Sequence, residues 1–267
     1  MIMNGATDLS ALSMFMCAIL LLVPLIAVWY FKLGITKNLV TSTLRMAVQL
    51  VLIGFFLEYV FKFNNWFLNL LWFLVMINAA SFSVIKNSGL RIKQFALPVL
   101  LSFIIANFFV VLYFNYFIAN LDFILDAKYM IAIGGMVLGN SLRSNVIGLG
   151  DFYKSLRRDE QLYFYKLALG ATKYEALLHF AKKSFVSALN PTIATMATMG
   201  IVSLPGMMTG QILGGSVPLV AIKYQIAIMI AILASTVLSI SLGILFTVGY
   251  SFHKNGTLKK EIFRTNL

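Results

Sequence analysis

Long apolar runs dominate the pattern of hydrophobic and polar positions along this chain. A transmembrane helix needs about 20 mostly apolar residues, and seven stretches approach or exceed that length. The predicted spans are 9–31, 39–61, 66–85, 95–119, 129–149, a segment that starts near Pro191, and 220–250. The pattern predicts an all-α polytopic membrane protein with about seven transmembrane helices in a single transmembrane domain, 1–267.

The segment 191–225 is apolar but unlike an ordinary lipid-facing helix. Pro205-Gly206 should interrupt it, because proline lacks an N–H group and clashes with the preceding turn. Broken backbone at membrane depth is tolerated only where protein or a water-filled cavity covers it, and discontinuous helices often mark the site of a transporter. The segment therefore predicts either the wall of a translocation route or a kinked helix whose small residues permit close packing.

The long polar segment 151–190 predicts a helical hairpin outside the bilayer. Its first helix is expected over about 152–169, since Gly170 suits the left-handed position that commonly ends a helix. Thr172 and Glu175 have the spacing of a capping box, which predicts the start of a second helix.

The second helix of this hairpin is expected to close at Asn190-Pro191, where the sixth span begins. Most connections run to about 2–8 residues, so 40 residues exceed what a simple bridge needs. A basic hairpin with one apolar face predicts docking to a cytoplasmic partner. The simpler alternative is a surface connection.

Composition and charge support a membrane location. The chain is 60% hydrophobic and 11% charged, with a mean hydropathy of +0.90 and a net charge of +12. Sixteen of its 21 lysines and arginines fall in the segments 32–38, 86–94, 150–190 and 251–267. By the positive-inside rule, the chain is expected in the cell membrane with its N-terminus outside and its C-terminus cytoplasmic. The basic charge then reflects topology, and a nucleic-acid partner is not expected.

The sequence has no nucleotide-binding or hydrolase motif. There is no Walker A pattern, no H-E-x-x-H and no G-x-S-x-G. A single cysteine excludes an internal disulfide framework. An enzyme that acts alone is therefore not expected.

Polar residues within the spans are the remaining candidate chemistry. Arg45 and Gln49 share one face of the second span, Asn78 lies in the third and Asn140 in the fifth. Charged groups in a membrane are functional candidates. However, arginine can also snorkel to lipid phosphates, and asparagine often joins neighbouring helices by hydrogen bonds.

The Met207-Met208 pair has two interpretations as well. Thioethers are soft metal ligands, but methionine more often fills gaps in packing. The identity of any bound metal stays unknown at this stage.

Six short segments together indicate a protein family more specifically than any of these features alone. They are RMAVQL at 45–50, NAA at 78–80, GMVLGN at 135–140, LGAT at 169–172, VSLPGMMTGQI at 202–212 and AIKYQI at 221–226. They resemble the bacterial iron-export permease family formerly called uncharacterised family 14, which also includes the plant aluminium-sensitivity permeases. The resemblance covers nearly the whole chain.

The resemblance implies the membrane subunit of an ABC transporter. A separate cytoplasmic ATPase would bind ATP and magnesium, no cofactor would bind this chain, and two permeases would pair with two ATPases. The residues implied in ATPase coupling are Leu169, Gly170, Ala171, Thr172 and Glu175. One departure is Phe164-Tyr165-Lys166, where related loops carry Glu-Ala-Ala. The residues expected along the route are Arg45, Gln49, Asn78, Asn140, Pro205, Gly206, Met207, Met208 and Gln211.

The resemblance implies iron export, whereas the residues leave the substrate open. No histidine or cysteine cluster would select a transition metal, and a chelated or anionic substrate would suit Arg45 and Arg143. The alternatives are a permease for a nucleotide-sugar or another metal, a non-transporting scaffold or regulator of an ATPase, and an ATP-independent channel or carrier.

Overall fold

The computed structural model describes residues 8–253 and 256–263, and within these ranges the chain is all-α. The helices are α1 Ala11–Ile19, α2 Leu22–Tyr30, α3 Thr36–Phe63, α4 Trp66–Asn87, α5 Ile92–Tyr113, α6 Ala127–Arg158, α7 Glu160–Ala168, α8 Lys173–Thr198, α9 Gly206–Leu213 and α10 Pro218–Ser251. A π-helical turn, Phe114–Ile118, extends α5, and a 3-10 turn, Lys260–Ile262, lies near the C-terminus. The predicted all-α polytopic class is confirmed.

Five helical segments of the described chain are long and apolar enough to cross a membrane. They are Ala11–Tyr30, Thr36–Phe63, Trp66–Asn87, Ile92–Ile118 and Pro218–Ser251. They match the predicted spans one to four and seven. The predicted fifth and sixth spans lie in α6 and in α8 with α9, which are more polar, so the total of seven stays a prediction.

The first span is not one uninterrupted helix. A turn at Leu20 and Leu21 separates α1 from α2. Pro24 explains this turn, because it has no N–H group for the carbonyl of Leu20 and its ring crowds that carbonyl.

The prediction of one separate helix over 152–169, as the first arm of the hairpin, is wrong. Helix α6 continues past the expected boundary at Leu149 to Arg158, and only then does Asp159 break the chain before α7. The polar residues that follow Leu149 mark the end of the apolar run, but they do not interrupt the helical backbone. This part of α6 is instead held by burial of Phe152, Tyr153 and Leu156.

The second arm begins as predicted but does not close at Asn190-Pro191. The capping box is confirmed: the Thr172 N–H donates to Glu175 Oε2 at 2.7 Å, and the Glu175 N–H donates to Thr172 Oγ1 at 3.4 Å. Helix α8 then runs through Pro191 to Thr198. Its buried stripe, from Ala176 to Ala188, packs on the core and stabilises the helix despite the hydrogen bond that proline cannot make.

One hydrophobic core joins α4, α5, α6, α8 and α10. Helix α10 packs along α5 and α6, and α6 also contacts α4 and α8. Helices α1 and α2 lie outside this core, and α3 approaches it near Val60, which clusters with Ala127 and Ile131 of α6. Because α6 is enclosed by protein, it can carry glycine and polar residues that a lipid-facing helix could not.

Candidate functional site

A cavity of about 270 Å³ lies where α6, α8 and α10 meet the broken segment before α9. Arg143, Pro191 and Thr195 at its edge are exposed, so it opens between α6 and α8. The residues lining it are Met136, Asn140, Arg143, Ser144, Ile147, Pro191, Thr192, Thr195, Met199, Pro205, Gly206, Met207, Gln225, Ile228, Met229 and Ile232.

The α6 wall arises from helical spacing. Met136, Asn140, Arg143, Ser144 and Ile147 recur every three or four residues and therefore share one face. The Asn140 amide donates to the carbonyl of Met136 at 2.8 Å, which turns its amide back along the helix. Arg143 is the only charged residue of the lining, and it has no ion-pair partner within the described ranges.

Gln225 of α10 contributes a buried amide to the cavity lining. Only 6% of this residue is exposed. Its Nε2 lies 3.8 Å from the sulfur of Met199, a weak acceptor, and its Oε1 has no hydrogen-bond partner among the described residues. A buried unpaired acceptor costs about 1–3 kcal/mol, so a ligand with an O–H or N–H donor would gain by binding here.

Three of the four methionines in the cavity lining pack on a hydrophobic cluster. Met136, Met207 and Met229 lie against the buried cluster that contains Val137 and Ile228. The cavity lining includes no carboxylate, histidine or cysteine, and the described part of the chain contains no group of three or more such metal ligands. Bare transition-metal ions would therefore meet thioethers, amides and one cationic side chain.

The helix break lies in the predicted segment but starts earlier than Pro205-Gly206. Helix α8 ends at Thr198, and residues 199–205 form a turn. Gly200, at φ +86°, donates its N–H to the carbonyl of Ser203 at 2.9 Å. Pro205 is then the residue before α9, a position that needs no intrahelical N–H bond.

The cavity brings together only part of the predicted route. It contains Asn140, Pro205, Gly206 and Met207. The remaining predicted residues lie elsewhere: Arg45 and Gln49 are exposed on α3, Asn78 is exposed on α4, Met208 is buried outside the lining, and Gln211 is half-buried on α9. For all nine residues a role in transport remains a prediction.

Sequence reasoning named Arg143 as suited to an anionic substrate but left it out of the predicted route, and it missed Gln225 altogether. A signal existed for Arg143, since it follows Asn140 by three residues and so shares its face. Gln225 lies in the AIKYQI segment, but nothing local indicated that its amide would be buried in the same cavity lining as Arg143.

A second polar cluster joins α5, α6 and α10 away from the cavity. Ser235 Oγ donates to Asn107 Oδ1 at 3.1 Å and lies 2.9 Å from Ser141 Oγ. Asn145 Nδ2 donates to Ser239 Oγ at 2.7 Å. All five side chains are buried, so this cluster joins helices rather than lining an open route.

The predicted coupling residues do form one exposed tip between α7 and α8. Leu169 is 69% exposed, and Gly170, at φ +89°, has open space around it. Ala171 is half-buried, while Thr172 and Glu175 are exposed. The N–H and hydroxyl of Thr172 both donate to Glu175 and lower the pKa of its carboxyl group.

The fold, with five membrane-length apolar helices in the described part of the chain, defines a multi-pass membrane protein. The chain belongs to the uncharacterised protein family UPF0014, whose pattern matches residues 11–252.

Similar proteins occur in bacteria and plants. The chain is 31% identical to the UPF0014 membrane protein YjkA of Bacillus subtilis, over 85% of this chain and 90% of that protein. It is 32% identical to the protein ALUMINUM SENSITIVE 3 of Arabidopsis thaliana, over 84% and 81%. It is also 32% identical to the probable iron export permease protein FetB of Escherichia coli, over 78% and 79%. No solved structure matches the chain significantly.

Proposed function

We propose that this chain is the membrane subunit of an ABC transporter that exports iron, driven by ATP hydrolysis on a separate cytoplasmic ATPase. The name of the Escherichia coli relative, a probable iron export permease, supports the class of transport and the substrate. The chain has no Walker A motif of its own, so ATP and magnesium bind the partner.

The observation that carries this proposal is the continuity of α8. The helix begins beside the exposed tip at Thr172 and reaches the cavity, where Pro191, Thr192 and Thr195 line one wall. At 1.5 Å per residue its 26 residues span about 39 Å. A displacement imposed at the tip is therefore transmitted to the cavity wall by one rigid element.

The tip itself is suited to docking. Tyr165, Leu169 and Tyr174 are 62%, 69% and 65% exposed and surround the glycine turn. Exposed apolar groups rimmed by polar residues commonly mark a protein interface. In the complete transporter, two copies of this chain pair within the lipid bilayer, and each tip contacts one ATPase.

The orientation follows from charge. The N-terminus lies outside and the C-terminus in the cytoplasm, because the hairpin and the 86–94 segment carry the basic residues. In this orientation the break at 199–205 acts as an outer gate, and the cavity lies on its inner side.

The decisive experiment reconstitutes the permease in liposomes with and without its cognate ATPase. Iron should stimulate ATP hydrolysis and should move across the bilayer only when both subunits and ATP are present. Transport without any ATPase would indicate a channel or carrier. ATPase binding without iron-dependent stimulation or transport would indicate a scaffold.

A pair of leucine variants tests the tip. Leu169→Asp should abolish co-purification of the ATPase, because it places a charge in the apolar docking surface. Leu33→Asp is the matched control, since Leu33 is 54% exposed in the connection between α2 and α3. Equal ATPase recovery with both variants would exclude the hairpin as the coupling element.

A further inference from the structure

We infer that the cavity receives its cargo as an anion, and that the ligand class is a small hydroxycarboxylate, either free or chelating iron. This inference rests on the proposed function and specifies the substrate of the same site. Three features of the cavity lining support it: the cationic side chain of Arg143, the buried acceptor of Gln225, and a lining without carboxylates.

Arg143 supplies the anion-binding group. Its guanidinium group is the only charge in the lining and has no acidic partner in the described chain. Arginine binds a carboxylate through two parallel N–H···O bonds, and it stays protonated under all physiological conditions. A bare Fe²⁺ ion would be repelled by this charge and would find no carboxylate to offset it.

Gln225 supplies the second contact. Its Oε1 is buried and has no hydrogen-bond partner in the part of the chain that the structure describes, whereas its Nε2 lies 3.8 Å from the Met199 sulfur. An acceptor in this state selects a ligand that carries an O–H donor, whereas Arg143 selects negative charge. A hydroxycarboxylate provides both, and water on a chelated iron provides an equivalent donor.

The remaining lining is compatible with such a ligand. The hydroxyl of Ser144 makes no hydrogen bond to the described chain, and Thr192 adds a second hydroxyl near the opening. Thr195 already donates to the Pro191 carbonyl at 2.8 Å, which leaves its oxygen as an acceptor. A volume of about 270 Å³ is just below the roughly 300–1,000 Å³ of sites for drug-sized ligands, so the ligand is small.

Binding to the purified permease, measured by calorimetric titration without any ATPase, tests this inference. The probes are citrate, ferric citrate and Fe²⁺ alone. Citrate and ferric citrate should bind, and Fe²⁺ alone should not. Arg143→Gln should weaken citrate binding at least tenfold, while Arg158→Gln, which removes an exposed arginine that pairs with Asp159 outside the cavity, should leave binding unchanged.

The role of Gln225 is tested with tricarballylate, which matches citrate but lacks its hydroxyl group. The unaltered protein should bind citrate several-fold more tightly than tricarballylate, and Gln225→Met should remove that preference without abolishing the binding of either ligand. Ferric citrate binding should be lost in Arg143→Gln and retained in Gln225→Met. This result would further support separate roles for the two residues.

Two outcomes would overturn the inference: Fe²⁺ binding that survives Arg143→Gln, and citrate binding that is indifferent to Arg143. Binding of citrate with exclusion of ferric citrate would retain the anion site and assign it to the free hydroxycarboxylate. Because these measurements need no ATPase, their failure is distinguishable from failure of the proposed function. Failed transport in liposomes with intact citrate binding would reject ATP-driven export and retain the anion site.

Discussion

At the scale of single residues, asparagines that all lie within long helices have different environments. Asn107 and Asn145 are buried between α5, α6 and α10, where their amides hydrogen-bond Ser235 and Ser239. Asn78 is exposed on α4 and makes no hydrogen bond within the described residues. Buried amides of the first kind fix how helices pack, because an unpaired polar group in an apolar interior is costly.

We therefore predict that Asn145→Ala destabilises the protein by about 1–2 kcal/mol, because it removes the hydrogen bond to Ser239 across two helices. Thermal unfolding in detergent, followed by tryptophan fluorescence, measures the effect. Asn78→Ala is the control and should leave the unfolding temperature nearly unchanged. Equal losses in the two variants would contradict the assignment of the buried cluster as a stabilising element.

At the scale of elements, the glycines of α6 determine how closely its neighbours approach. A Cβ atom at Gly134 would lie 2.6 Å from the ring of Phe73 on α4. That ring is fully buried and stacks edge-to-face on Phe108 at 5.1 Å between centroids, so it has no room to move. Gly139, on the same helix, has open space where its Cβ would lie.

Gly134→Ala should therefore cost about 1–3 kcal/mol through overpacking. Gly139→Ala should be neutral or stabilising by up to about 1 kcal/mol, since alanine favours the helix over glycine. The difference in unfolding temperature between the two variants is the measurement. A stabilised Gly134→Ala variant would mean that α4 and α6 are less tightly packed than described.

At the scale of the whole molecule, the C-terminal segment joins parts that are distant in sequence. Leu258 and Ile262 are buried in the main core, and the carbonyl of Ile262 accepts the Arg91 N–H at 2.8 Å. Phe252 packs on Tyr163 of α7 and under the Lys173 ammonium group. The segment thus connects the turn before α5 with both arms of the hairpin.

Ile262→Ala should release this segment, because truncating a buried isoleucine costs about 2–5 kcal/mol. Faster hydrogen exchange of the 88–92 turn, measured by mass spectrometry, is the expected result. Ile201→Ala removes the same atoms from a side chain that is 91% exposed, and should not change exchange in that turn. Unchanged exchange in Ile262→Ala would show that the turn is stabilised without the C-terminal segment.

Local sequence patterns determined the elements of this protein. The bilayer requires every backbone group to be satisfied within a span, so long apolar runs predicted α3, α4, α5 and α10 closely. Gly170 and Thr172 predicted the hairpin tip equally well, because a left-handed glycine and a capping box act within one turn.

Only the tertiary structure decided which polar groups meet. Arg45 and Arg143 both lie in apolar helices, yet only Arg143 faces the cavity, and Gln225 joins it from about 80 residues further along the chain. The same holds for α6 and α8, which continue past the boundaries that polarity suggested because their buried faces pack on other helices. Local patterns specify helices through backbone hydrogen bonding, whereas the site depends on long-range packing, which no local pattern encodes.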